Sequence, residues 1–134
     1  MAIYNLGSVN IDHVYRVPHL PMPGETLASS SFQSGLGGKG ANQSIAIARA
    51  GGQVFHIGAI GSDGGWLADK MADAGVDTRF LSVIEVSTGH AIINVDDEAE
   101  NTIVLYSGAN RALTEMHVNK ALSDAGAGDW LLLQ

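Results

Sequence analysis

Four glycines, a lysine and an asparagine fall within one short run, Gly35-Leu-Gly-Gly-Lys-Gly-Ala-Asn42, and the chain's chemistry concentrates there. Glycine adopts positive φ freely and lets the backbone approach a small molecule that any Cβ would obstruct. The alanine-rich stretch that follows, Ala41 to Ala50, has the composition of a helix. A helix beginning at that point aims unpaired N–H groups and a partial positive charge back at the turn. The combination predicts a dock for an oxygen-rich ligand.

Two other glycine devices fail on their surroundings. Gly35, Gly37 and Gly40 fit G-x-G-x-x-G, but a dinucleotide site also needs an acid at the end of the next strand, about 20 residues on. That strand reads as Gln53 to Ile60 and carries none. Asp63 lies beyond Gly61, in a Ser-Asp-Gly-Gly segment that reads as a turn and helix start. A P-loop needs glycine where the chain has Gln33, and Ser or Thr where it has Gly40.

The run and its flanks resemble the N-terminal signature of the ribokinase-like, or pfkB, family of carbohydrate kinases. Gly37, Gly38, Gly40, Asn42, Ser44, Gly51 and Gly61 stand at that signature's intervals. Gly7-Ser-Val-Asn-Ile-Asp12 is similar to the family's first strand, which ends in a sugar-binding Asn and Asp. Pro21-Met-Pro-Gly-Glu-Thr26 resembles its Pro-Gly-Glu turn, and Ser87 to Val95 and Tyr106-Ser-Gly-Ala-Asn110 resemble the segments that come next. The resemblance implies an α/β, ribokinase-like fold: a central, mostly parallel sheet flanked by helices on both faces, with a small β-sheet lid. The lid would be built from about residues 11–33 and 88–107.

The implied activity is ATP-dependent phosphorylation of a primary hydroxyl of a pentose, D-ribose foremost, with ATP and Mg²⁺ as cofactors. Nucleoside, fructose and ketodeoxygluconate kinases are alternatives within the family, because a few pocket contacts set substrate choice. By the same resemblance, Asn10, Asp12, Gly38, Lys39 and Asn42 match the sugar-contacting positions. Their chemistry suits a polyol: Asp12 is an acceptor able to take two neighbouring hydroxyls, while Asn10 and Asn42 each offer a donor and an acceptor. Ala91, Ile93 and Ile103 would either wall the site from the lid or form hairpin core. In several family members the lids of two subunits pack together, which implies a homodimer through the lid.

Family members run to about twice this length, a common size for one α/β domain. Their second signature, a Gly-Ala-Gly-Asp near the C-terminus, holds the catalytic base and an anion hole. Here the sequence ends in Asp129-Trp-Leu-Leu-Leu-Gln134, which reads as a short buried strand of the kind that a covering helix normally follows. The chain therefore reads as the N-terminal part of a kinase, with the catalytic Asp and the C-terminal ATP-binding part beyond Gln134, and is expected to be inactive alone. Gly126-Ala-Gly-Asp129 spells the second signature, but the apolar run after it argues for a strand, so Asp129 reads as a turn residue. A non-catalytic sugar-binding module, or half of a split protein, is the reading from another class.

The formal charge of −7 opposes nucleic acid or an anionic membrane surface as partner. Cysteine is absent, which excludes disulfides and thiolate metal sites. No apolar run approaches the roughly 20 residues of a membrane span, and the N-terminus lacks the build of a signal peptide; a cytoplasmic protein with a small-molecule sugar as partner is expected. The five histidines show no H-E-x-x-H. Asp96-Asp-Glu-Ala-Glu100 lacks calcium-loop spacing and reads as a solvated hairpin tip.

The elements that must hold these residues alternate between strand and helix signals, as in an α/β sheet. Ala2 to Val9 reads as a strand, and Val14–Val17 pairs with Thr26–Phe32 around Pro21, Pro23 and Gly24. Ala41, Ile45 and Ala48 share one helix face, with Gly51-Gly52 ending that helix. A second helix runs from about Gly64 to Ala74, with Trp66, Leu67 and Met71 inward and Gly75 as its cap. Ala91–Val95 and Asn101–Tyr106 read as a hairpin, and Thr114 opens a third helix with Glu115 in its first turn.

Overall fold

A computed structural model describes residues 1–134. In chain order its elements are β1 (Ile3–Leu6), β2 (Asn10–Arg16), β3 (Ser31–Gly37), α1 (Lys39–Arg49), β4 (Val54–Gly61), α2 (Gly65–Asp73), β5 (Leu81–Ile84), β6 (Gly89–Val95), β7 (Asn101–Tyr106), α3 (Glu115–Ala121) and β8 (Trp130–Leu133). They form two four-stranded sheets, ordered β5-β4-β1-β8 and β3-β2-β6-β7.

The first sheet is wholly parallel. Its centre, Val-Phe-His-Ile-Gly-Ala-Ile-Gly in β4, is a nearly continuous apolar run, as expected of a strand covered on both faces. Alternation sends Val54 and Ile60 to one side, where they pack with Ala41 of α1 and Leu67 and Met71 of α2. Phe55 and Ile57 point the other way, against Tyr4 of β1 and Ala121 of α3. Helices thus cover both faces. Gly51 and Gly75 both take positive φ, 86° and 94°, just after the last turns of α1 and α2, where a Cβ would be penalised.

The second sheet is mixed: β2 runs antiparallel to β3 but parallel to β6, and β6 and β7 form the antiparallel hairpin. Asp96 closes that hairpin by accepting the amides of Glu98 and Glu100, both at 2.9 Å. A separate clamp ties the root of this sheet to the parallel one. The Asp63 carboxylate accepts from the Thr88 amide and hydroxyl at 2.9 and 2.6 Å, and the Thr88 hydroxyl oxygen accepts the Gly61 amide at 2.9 Å.

Three expectations about boundaries shift. Thr26 to Ser30 is not strand, and β3 runs on to Gly37 because its ladder with β2 continues to the Asn10–Gly37 pair. Gly35 and Gly37 therefore lie in a strand, the turn is Gly38 alone, and α1 begins at Lys39. The strand at 130–133 forms, but Trp130, Leu131 and Leu133 are exposed, because β8 is an edge paired only with β1.

A buried polar chain fixes the first turn of α1 to the parallel sheet. Asn5 Nδ2 donates to Gly40 O and Ser44 Oγ, both at 2.9 Å. Ser44 Oγ lies 2.8 Å from His56 Nδ1, and His56 Nε2 faces the Gly7 carbonyl at 3.2 Å. A carbonyl only accepts, so Nε2 carries the proton and Nδ1 accepts from the serine hydroxyl. Burial pushes the His56 pKa down to about 4, against a smaller opposing effect of the Gly7 carbonyl. Because the folded pKa lies below the unfolded one, stability is full above about pH 6.5 and is lost as pH falls toward 4. Urea midpoints are expected to show a loss of about 2–3 kcal/mol between pH 7 and 4.5. The part of that loss due to His56 should vanish in His56→Gln, so the variant's loss between pH 7 and 4.5 should be smaller than that of the wild type.

Candidate functional site

A cleft of about 700 Å³ lies where the second sheet meets the N-terminus of α1. Asn10, Asp12, Gly38, Lys39 and Asn42 all line it. Asn10 and Asp12 share a face of β2 because strand side chains alternate. Register places Ala91 of β6 opposite Asp12 and Leu105 of β7 opposite Ala91, while Ile93 faces Ile103. The cleft thus has a polar end at β2 and an apolar wall from the hairpin.

The glycines divide the work of building it. A Cβ on Gly37 would overlap the Asp12 carboxylate, so this glycine lets Asp12 lie across the strand. Gly38 sits at φ 97° and ψ 128°, and a Cβ there would stand 2.6 Å from Ser8 O. Gly40 allows α1 to approach the loop after β1, since its Cβ would lie 2.6 Å from Ser8 N. Ala41 then donates its amide to Ser8 O at 2.9 Å. The glycines of the motif mainly bring two pieces of backbone together, and only the turn at Gly38 opens on the cleft.

Electrostatics distinguish the cleft residues. Partial burial pushes the Asp12 carboxyl above the usual carboxylate range, with His13 beside it pulling the other way. Lys39 and Arg111 also line the cleft, and neither joins an ion pair, since the two pairs in the chain are His19–Glu25 and Arg79–Asp77. An acceptor carboxylate and two unpaired cations thus share one opening.

The match to known proteins is extensive. Residues 3–133 match the pfkB family carbohydrate kinase description. The chain belongs to the pfkB family of carbohydrate kinases. Ribokinase from Haemophilus influenzae is 45 % identical over 132 residues, covering 96 % of this chain and 43 % of that protein. A crystal structure of ribokinase from Cryptococcus neoformans in complex with ADP superposes with a TM-score of 0.84 at 41 % identity, covering 99 % of this chain and 42 % of that one. The Arabidopsis thaliana ribokinase complexed with ribose and ATP gives a TM-score of 0.76 at 33 % identity, over 86 % of this chain and 39 % of that one. This pfkB-family chain spans less than half the length of these relatives.

Sequence reasoning passed over several residues of the pfkB-family cleft. Ser8, Ser107, Asn110, Arg111 and Gln134 line it as well. Asn110 reaches it from a 3₁₀ turn, Gly108–Arg111, which folds back beneath β2 because Gly108 takes φ 48° and the Ala109 amide bonds Ser87 O at 2.9 Å. The segment Tyr106–Asn110 was legible as a family feature, but its asparagine carried no local sign of a role. Asp129 stays out of the cleft. Its two oxygens accept the amides of Ala2 and Gly126 at 2.7 and 3.0 Å, which holds its carboxyl below the usual range and makes it a turn residue.

Proposed function

We propose that these residues form the sugar-binding part of an ATP-dependent kinase that phosphorylates a primary hydroxyl of a pentose, D-ribose first. The observation that carries this is the convergence of Asn10, Asp12, Gly38, Lys39 and Asn42, drawn from two separate segments, on one cleft. Asp12 accepts hydrogen bonds from two neighbouring hydroxyls, and Asn42 supplies mixed donor and acceptor capacity. Gly38 lets the sugar approach the backbone, and Ala91, Ile93 and Ile103 cover its C–H surface. The second sheet acts as a lid, formed from about 11–33 and 88–107 and extending to Gly37. Closing it excludes water that would otherwise intercept the phosphoryl group.

ATP and Mg²⁺ belong to this chemistry, the metal neutralising phosphate charge when bound. No three carboxylate or imidazole groups of this chain converge as a metal site, so no step is assigned to the metal here. The catalytic base and most of the nucleotide site are placed in the rest of a longer polypeptide. No helix of the chain is long and apolar enough to cross a membrane. Phe32, Val104 and Tyr106 of the second sheet are exposed and would serve a lid-to-lid homodimer.

The test is ADP release with D-ribose, 2-deoxyribose, fructose and a nucleoside as acceptors. A longer polypeptide carrying these residues is expected to turn over fastest with D-ribose, and the 134-residue chain to show no turnover above background. A different preferred acceptor, or turnover by the chain alone, would overturn the respective part.

A further inference from the structure

We propose that Asn110 is a positioning residue that fixes the direction of the Asn10 side-chain amide, so that Asn10 presents only a donor to the cleft. This rests on the sugar-site reading for what the donor meets, but not for the direction itself. Val9 donates its amide to Asn110 Oδ1 at 2.9 Å. A backbone N–H can only donate, so the oxygen of Asn110 must be the atom facing it. The other end of that amide, Nδ2, then faces the Val9 carbonyl at 3.2 Å and the Asn10 side chain at 2.7 Å. Because Nδ2 donates, the Asn10 atom that meets it is Oδ1. The orientation of both amides, ordinarily a matter of assignment, follows from the polarity of one peptide unit.

The consequence narrows the earlier view of Asn10 as both donor and acceptor. Its acceptor is engaged by Asn110, while its Nδ2 has no protein partner and is not sealed from solvent in the cleft wall. Asp12, on the same face of β2, is an acceptor when ionised. The site therefore offers a fixed pattern, donor at Asn10 and acceptor at Asp12, which fits a substrate oxygen with a free lone pair beside a hydroxyl that donates. Gly89 makes the arrangement possible. It pairs with Asn10 across β2 and β6, and a Cβ there would collide with Asn110 Nδ2 and come within 2.6 Å of Asn10 Oδ1.

Asn110→Asp should reverse the pattern. One carboxylate oxygen still accepts the Val9 amide, while the other faces Asn10 and draws its Nδ2 inward, turning Oδ1 toward the cleft. The experiment is NMR of the isotopically labelled chain without ligand, reading the coupling across the hydrogen bond between the two side chains. Wild type is expected to couple Asn110 Nδ2 to Asn10 Cγ, and Asn110→Asp to couple Asn10 Nδ2 to the new carboxyl carbon. Coupling in wild type from Asn10 Nδ2 to Asn110 Cγ, or none in either direction, would overturn the proposal whether or not the variant folds. In a parallel titration, Asn110→Asp should weaken D-ribose affinity by about ten-fold or more, since Asn10 would then turn an acceptor toward a substrate oxygen that also accepts. Equal affinity in the two proteins would overturn the positioning role. Failure of wild type to bind ribose would instead count against the sugar-site reading, with the coupling still deciding the amide direction.

Discussion

Asp12→Ala is expected to lower D-ribose affinity by about 100-fold or more while leaving the fold at least as stable as before. Each hydrogen bond to a charged group contributes about 1.5–3 kcal/mol, and on the proposed sugar-site reading Asp12 would accept two. The stability half of the expectation has a separate cause. Burial raises the folded pKa of Asp12, so at neutral pH the fold bears the cost of a desolvated charge that the unfolded chain does not. The sign is therefore that stability contributed by this group grows as pH falls, and removing the carboxylate relieves the cost at pH 7. Asp12→Asn should behave alike, because an amide cannot accept two hydroxyls with a full negative charge. Sugar binding should weaken as acid protonates Asp12, beginning above the usual carboxylate range. Calorimetric titration of each variant beside its melting temperature tests both halves. A fall in melting temperature that parallels the fall in affinity would mean that Asp12 is a structural residue.

The second large effect falls on the glycine motif. Gly38→Ala places a Cβ 2.6 Å from Ser8 O and 3.0 Å from Asn10 N, at φ 97°, where L residues are strained. Both contacts are backbone and cannot swing aside. The expected loss is about 3 kcal/mol or more, combining the strained conformation with the clash. Gly35→Ala is the contrast. It lies in β3 with open space around its Cβ position and no positive φ, so a change within about 0.5 kcal/mol is expected. Urea midpoints of the two variants should differ widely although both residues lie in one glycine-rich run. Similar midpoints would mean that the turn at Gly38 relaxes freely.

That contrast marks the limit of what the sequence could say. The run announced itself as a place where backbone comes close to something, and the structure agrees, but it does not separate a strand glycine such as Gly35 from a turn glycine such as Gly38. The difference lies in what approaches from β1 and β2, which is tertiary. Helix faces were legible because Ala41, Ile45 and Ala48, or Leu67 and Met71, repeat at the helical period and pack on the parallel sheet as spaced. The second sheet was legible as two strand pairs that do not alternate with helices. Its joining through the parallel pairing of β2 and β6 is invisible locally, since nearly 80 residues separate the register partners Asn10 and Gly89.

The site shows the same division. Asn10, Asp12, Gly38, Lys39 and Asn42, which line one cleft, stood out because each stands in a recognisable local segment. Asn110 was not assigned a role, because its meaning is a hydrogen bond to Asn10 across 100 residues of sequence. The network of Asn5, Ser44 and His56 escaped notice for the same reason. Its members come from β1, α1 and β4, and although Ser44 stands in the family signature, nothing local to it points to Asn5 or His56.

The central claim is that the cleft between the second sheet and α1 receives a pentose. Its most direct test is a titration of D-ribose into the isotopically labelled chain, following backbone and side-chain amide signals. Saturable shifts are expected at Asn10, Asp12, Gly38, Lys39 and Asn42, with weaker ones at Ala91 and Ile93, and all should disappear in Asp12→Ala. Shifts that cluster instead in the smaller cavity lined by Leu113 and Val118, or no saturable shifts at all, would contradict the claim.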